Sequence, residues 1–102
     1  MSVLQAIEVA PEWHSNVEQG IKKITIRKGK RDYQTGRTML CCPKTSWCVE
    51  CEVSEVKHVP LNKMTDEDAK ADGFRNVEDL YQKLHEYYPD VSYDDIMTVV
   101  YW

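Results

Sequence analysis

No stretch of this sequence approaches the ~20 consecutive apolar residues that a membrane-spanning helix needs. There is no internal repeat, no low-complexity tract and no Gly/Ser linker, so nothing in this sequence reads as a repeat array. Met1 to Ala10 carries Gln5 and Glu8 and no basic start, and no secretory signal is expected there. A surplus of positive charge is also missing. Thirteen Lys and Arg face 17 Asp and Glu, a formal net charge of −4, which argues against a generic nucleic-acid coat.

What is present fits one folded domain spanning residues 1–102. Hydrophobic residues make up 42% and charged residues 29% of the chain, the balance of a packed protein rather than a disordered tail. At this length two independent cores are not expected. The net charge hides an asymmetry. Residues 1–51 hold 8 basic against 5 acidic side chains, and residues 52–102 hold 5 against 12. Seven of the bases fall between Lys22 and Arg37, opposed only by Asp32. A basic segment on an acidic body suits either a local anionic ligand or a solvated charged loop.

Cys41, Cys42, Cys48 and Cys51 invite a zinc reading. Strand parity opposes it: Arg37 to Cys42 and Cys48 to Val56 read as strands, on which Cys41 and Cys42 point to opposite faces, as do Cys48 and Cys51. The expectation is therefore no metal, and reduced, unbridged thiols acting as small hydrophobes in a cytoplasmic protein. His14, His58 and His85 share no metal-like spacing and read as surface residues.

Along the chain, Val3 to Val9 reads as an opening strand. Pro11 suits the first turn of a helix that runs through Trp13 and Val17 and stops at Gly20. Lys23 to Lys28 alternates, with Ile24 and Ile26 on one face and Lys23, Thr25 and Arg27 on the other. Gly29 to Gly36 is a basic loop. A Cys-bearing hairpin follows, its second strand continuing through Val53, Val56 and Val59 to Pro60. Thr65 with Asp68 three residues later is a capping-box-like start, lacking only the preferred Glu, for a short helix from Asp66 that ends at Gly73. Asn76 opens a second helix with Val77, Leu80, Tyr81, Leu84 and Tyr88 on one face, stopped by Pro89. Ile96 to Trp102 is a closing strand with both faces buried. This order does not match the strand–helix alternation of a doubly wound sheet. It predicts an α+β fold, a small mixed β-barrel with flanking helices.

The segment Gly20-Ile21-Lys22-Lys23-Ile24-Thr25-Ile26-Arg27 is the most informative. Thr25 and Arg27 set a hydroxyl beside a planar cation, and Lys22 at the strand's start can fold toward the same face. A Lys whose charge is disfavoured by burial or nearby cations can take a proton from a hydroxyl, and Arg27 can hold a carbonyl or phosphate oxygen. The same pattern also suits an ordinary solvent-facing strand.

Gly20-x-Lys22-x-x-Thr25-x-Arg27 after a short helix resembles the signature of the ASCH domain, a PUA-like β-barrel. The resemblance continues through Gly36, Val59-Pro60-Leu61, Ala69-Lys70-Ala71-Asp72-Gly73-Phe74, Tyr88-Pro89 and the closing strand. By size the chain is similar to the small ASCH amidohydrolases that remove the acetyl group from N4-acetylcytidine. That resemblance implies catalytic roles for Lys22, Thr25 and Asp72, with Asp72 standing where the family carries a Glu, and it implies no cofactor. Arg27, Lys23, Lys28, Lys30, Arg31, Tyr33 and Trp47 are the candidate contacts to substrate or RNA, the two aromatics by stacking on a base. The alternative is a non-catalytic RNA-binding ASCH module, or an RNA-cleaving one, in which the Lys22–Arg37 run supplies phosphate contacts. The expected partner is a nucleoside or RNA, with no membrane and no obligate protein partner.

Overall fold

The protein is described by a computed structural model over residues 5–42 and 44–102. Six strands and three helices follow one another as β1 (Gln5–Glu8), α1 (His14–Glu18), β2 (Ile24–Lys28), β3 (Gly36–Cys42), β4 (Trp47–Val53), β5 (Glu55–Pro60), α2 (Asp66–Ala71), α3 (Val77–Tyr87) and β6 (Ile96–Tyr101). Short 3-10 turns at Pro11–Trp13 and Leu61–Lys63 precede α1 and α2. Val3 and Leu4 of the expected opening strand lie outside the described residues.

The α+β class holds, but the strands are divided between two three-stranded sheets, ordered β1-β3-β4 and β2-β6-β5. Among the described residues no ladder joins these sheets into a closed ring, so the expected barrel is not drawn by hydrogen bonds. β1 runs parallel to β3, and every other pair is antiparallel.

The long second strand expected for the hairpin is two strands. It breaks at Ser54, whose amide donates to the Tyr101 carbonyl at 2.8 Å, and the chain passes there from the first sheet to the second. Apolar residues on both sides of the break, Val53 before it and Val56 and Val59 after it, hide it in the sequence.

Two cores result. Ile24, Ile26, Met97 and Val99 pack with Leu61, Ala69, Leu80 and Leu84 between the second sheet and the helices. Ile7, Val9, Leu40, Val53 and Val100 fill the space on the other side. β6 therefore buries both faces, as its apolar run predicts. The capping box at α2 forms as expected, with Thr65 accepting from the Asp68 amide and the Asp68 carboxylate accepting from the Thr65 amide. Asn76 caps α3 through the Asp79 amide.

The cysteines require a correction. Cys41 and Cys48 form a disulfide, while Cys42 is a buried and Cys51 a half-buried free thiol. Parity along each strand is as expected, but register across the hairpin decides the pairing. Cys41 stands directly opposite Cys48, with their Cα atoms 4.1 Å apart, and a directly opposed pair brings its Cβ atoms within bonding reach.

Candidate active site

β2 and the end of α2 build the centre of the site. Gly20 at φ +74° ends α1, and the amides of Ile21 and Lys22 both donate to the Asn16 carbonyl. The Lys23 amide then donates to the Ala71 carbonyl at 2.6 Å. That bond ties the start of β2 to the last turn of α2 and brings Lys22 beside Asp72, the C-cap of α2. Gly73 follows at φ +94°, and a Cβ there would lie 3.3 Å from the Trp13 ring and 3.2 Å from the Asn16 amide nitrogen. A turn this tight against Trp13 needs glycine.

Lys22 and Asp72 form an ion pair in which the ammonium donates to the carboxylate, and each residue is only 4% exposed. An Asp before a helix-ending Gly ordinarily faces water; here it is sealed in. Burial pushes the Lys22 ammonium down, to about 7, and the nearby Arg27 guanidinium adds to the fall. The Asp72 carboxylate, as the opposite charge in contact with it, favours the charged form of the lysine. The Nζ of Lys22 also lies 5.5 Å from the Trp13 ring centroid, and Trp13 meets Phe74 edge-on.

Thr25 is 1% exposed, and its hydroxyl oxygen accepts from Arg27 Nη1 at 2.6 Å. Arg27 also donates to the carbonyls of Ile26 and Glu8. Burial disfavours its charge. Lys22 and Thr25 are thus held in two separate hydrogen-bonded pairs, Lys22 with Asp72 and Thr25 with Arg27.

All four line one cavity of about 650 Å³, together with Arg31, Tyr33, Trp13, Tyr87 and Tyr88. This volume is ordinary for a small-molecule site. Tyr87 stands at its rim, accepting from Trp13 Nε1 at 3.1 Å and donating to the Glu12 carboxylate.

Of the expected contact residues, Arg27, Arg31 and Tyr33 reach the cavity, and the others do not. Lys23 is exposed and lines a separate shallow groove with Cys51 and Trp102. Parity aims Lys23 toward the Thr25 side, but it precedes the ladder, which begins at Ile24, and its backbone turns to meet Ala71. Lys28 pairs with Asp95 at 3.8 Å. Lys30 is exposed outside the cavity. Trp47 is stacked on His14 with ring centroids 3.9 Å apart and donates to Glu18 at 2.7 Å, so both its face and its N–H are already engaged. Trp13, Phe74 and Tyr87 were not singled out as cavity contacts by the sequence. Trp13 lies in a 3-10 turn, Phe74 between two helices and Tyr87 at the exposed end of α3, and it is through contact with Trp13 that the other two come together beside Lys22.

This arrangement of sheets and helices matches solved structures. An ASCH domain from Lactobacillus crispatus JV V101 superposes with a TM-score of 0.72 at 15% identity, covering 96% of this chain and 77% of that one. This chain has the ASCH fold. A protein from Enterococcus faecalis V583, assigned to DUF984, superposes with a TM-score of 0.68 at 13% identity, covering 99% of this chain and 74% of that one. No protein-family model matches the sequence, and no curated protein does. The ASCH fold is therefore legible here in the course of the backbone and not in overall sequence similarity. No helix among the described residues is long and apolar enough to cross a membrane.

Proposed function

We propose that the protein is an amidohydrolase that removes the acyl group from N4-acetylcytidine or a closely related N4-acylated cytidine. The observation that carries this reading is the buried Lys22–Asp72 pair, set with Thr25 and Arg27 in the wall of a cavity large enough for a nucleoside. A lysine held near neutrality by burial is a base rather than a surface charge.

In the proposed reaction the substrate's acyl carbonyl lies against Thr25 and binding closes the gap between Lys22 and the Thr25 hydroxyl, as catalytic hydrogen bonds often tighten only in the complex. Neutral Lys22 takes the hydroxyl proton as Thr25 Oγ1 adds to the acyl carbon. The Arg27 N–H already aimed at that oxygen favours its deprotonated form, and the guanidinium's field stabilises the charge that passes to the acyl oxygen. The C–N bond then breaks. Its electron pair stays on the exocyclic nitrogen, which receives the proton held by the Lys22–Asp72 pair. A water next gives a proton to Lys22 and adds to the acyl-threonine ester. Collapse releases the carboxylic acid and returns a proton to Thr25. Tyr33 and the tyrosines at the rim supply faces for the base.

The test is direct: purified protein is incubated with N4-acetylcytidine and the appearance of cytidine is followed. Release of cytidine that is lost in Lys22→Ala supports the reading; no release across a panel of N4-acylated cytidines overturns it. The RNA-binding alternative draws less support. Lys28 is tied to Asp95 and Trp47 is covered by His14, which removes one phosphate contact and the stacking platform that alternative would use.

A further inference from the structure

The cavity carries more positive charge than its own carboxylates neutralise. Lys22 is paired with Asp72, and Lys83, also in the lining, is paired with Glu12 at 3.1 Å. Three further lining cations have no carboxylate partner among the described residues: Arg27, Arg31 and Lys44. Against them stands one lining carboxylate with no ion-pair partner among the described residues, Glu8. Arg27 is committed to Thr25 and two carbonyls. Arg31 and Lys44 are not, and both are exposed, one in the loop after β2 and the other in the turn between β3 and β4.

Arg31 is also held in place. Its amide donates to Thr98 Oγ1 at 2.8 Å, its carbonyl oxygen lies 2.9 Å from His58 Nε2, and its Nε donates to the Lys28 carbonyl at 3.1 Å. Thr98 is fully buried on the central strand and donates in turn to the Gly29 carbonyl at 2.6 Å. A charged side chain with its backbone fixed, and with no partner for its two Nη groups among the described residues, is preorganised for a planar, bidentate anion contact. A neutral nucleoside would use none of this. On a protein of net charge −4, uncompensated cations gathered at one cavity mark an anionic ligand.

We propose that the substrate of this site is a nucleotide, an N4-acylated cytidine 5′-monophosphate, whose phosphate sits between Arg31 and Lys44 at the cavity mouth. The inference rests on the amidohydrolase reading for the reaction but not for the phosphate contact. The base and acyl group occupy the depth of the cavity beside Lys22 and Thr25, and the phosphate stays at the rim, where two cations meet it without being buried.

The experiment compares kcat/KM for N4-acetylcytidine and its 5′-monophosphate in the wild type and in the double variant Arg31→Ala/Lys44→Ala. The monophosphate is favoured at least ~10-fold in the wild type, the scale of one charge-assisted contact, and the double variant brings the ratio to about one. A ratio near one in the wild type, or an unchanged ratio in the variant, overturns the inference. Both side chains are exposed, and circular dichroism checks that the variant is folded. Calorimetric binding of cytidine 5′-monophosphate and cytidine separates the two claims. Tighter binding of the monophosphate, lost in the double variant but without hydrolysis of either substrate, supports the phosphate site and overturns the amidohydrolase reading. Equal hydrolysis of both substrates does the reverse. An oligocytidine that binds tightly while the monophosphate binds no better than cytidine also overturns the inference, in favour of a polymer.

Discussion

Lys22 and Asp72, 50 residues apart in the chain, form a buried ion pair whose two backbones are held together by one hydrogen bond between their neighbours, Lys23 and Ala71. Breaking a buried pair by removing one partner ordinarily destabilises by about 3–5 kcal/mol, because the other charge is left unmatched. Here the lysine can shed its proton instead. Asp72→Asn is therefore expected to remove most activity while the fold survives at a lower melting temperature, measured by calorimetry. A variant with unaltered turnover would show that Asp72 only braces Lys22.

The acidity of Lys22 sets a pH profile. If the amine must be neutral to act, kcat/KM rises with pH through about 7 and then levels. Asp72→Asn removes the charge that opposes deprotonation, so any residual activity should have this limb moved to lower pH. A limb that stays in place would detach it from Lys22.

Thr25 and Lys22 act as a unit in the proposed step. Each single Ala substitution is expected to lower turnover at least ~100-fold, and the double substitution little more than the worse single one. Thr25→Ser keeps part of the activity, and Thr25→Val keeps none at nearly the same volume. Fully additive losses would point to two independent substrate contacts.

Gly73→Ala tests the turn that seats Asp72. With φ at +94° and a new Cβ 3.2–3.3 Å from Asn16 and Trp13, the substitution should destabilise by about 1–3 kcal/mol. Activity should fall further than stability alone explains, because Asp72 moves with the turn. A melting temperature within a degree of the wild type would show that Asn16 and Trp13 yield freely.

The Cys41–Cys48 disulfide closes a loop with a sequence separation of 7, for which chain entropy gives roughly 2 kcal/mol. Adding a reductant, or Cys48→Ser, is expected to lower the melting temperature, while Cys51→Ser leaves the effect of reductant in place. Insensitivity of the wild type to reductant would mean that the bridge adds nothing to stability.

Much of this fold was legible in the sequence because the signals are local. The capping residues Thr65 and Asn76, the alternation in Ile24–Lys28 and the doubly apolar β6 all report on their own segments. The features that escaped are relations between segments. The Cys41–Cys48 pairing depends on hairpin register, the break at Ser54 on which sheet each half joins, and the displacement of Lys23 on a bond to Ala71. Alternation in β2 put Thr25 and Arg27 on one face within reach of Lys22, but Asp72 joined them only through the resemblance of the motif, since residue 72 is remote from β2 in the chain. Trp47 shows the opposite failure: an aromatic at a hairpin reads as available until its neighbour His14 is seen to cover it.

The central place of β6 also governs how the molecule is assembled. β2 and β5 are both synthesised before the strand that lies between them, so in a growing chain each presents an open edge with no native partner in its own sheet. Such edges invite mispairing until they are filled. The second sheet is thus completed only when Ile96–Tyr101 pairs with both β2 and β5. The site depends on that event, because Thr25 and Arg27 acquire their fixed positions only when β2 has β6 beside it.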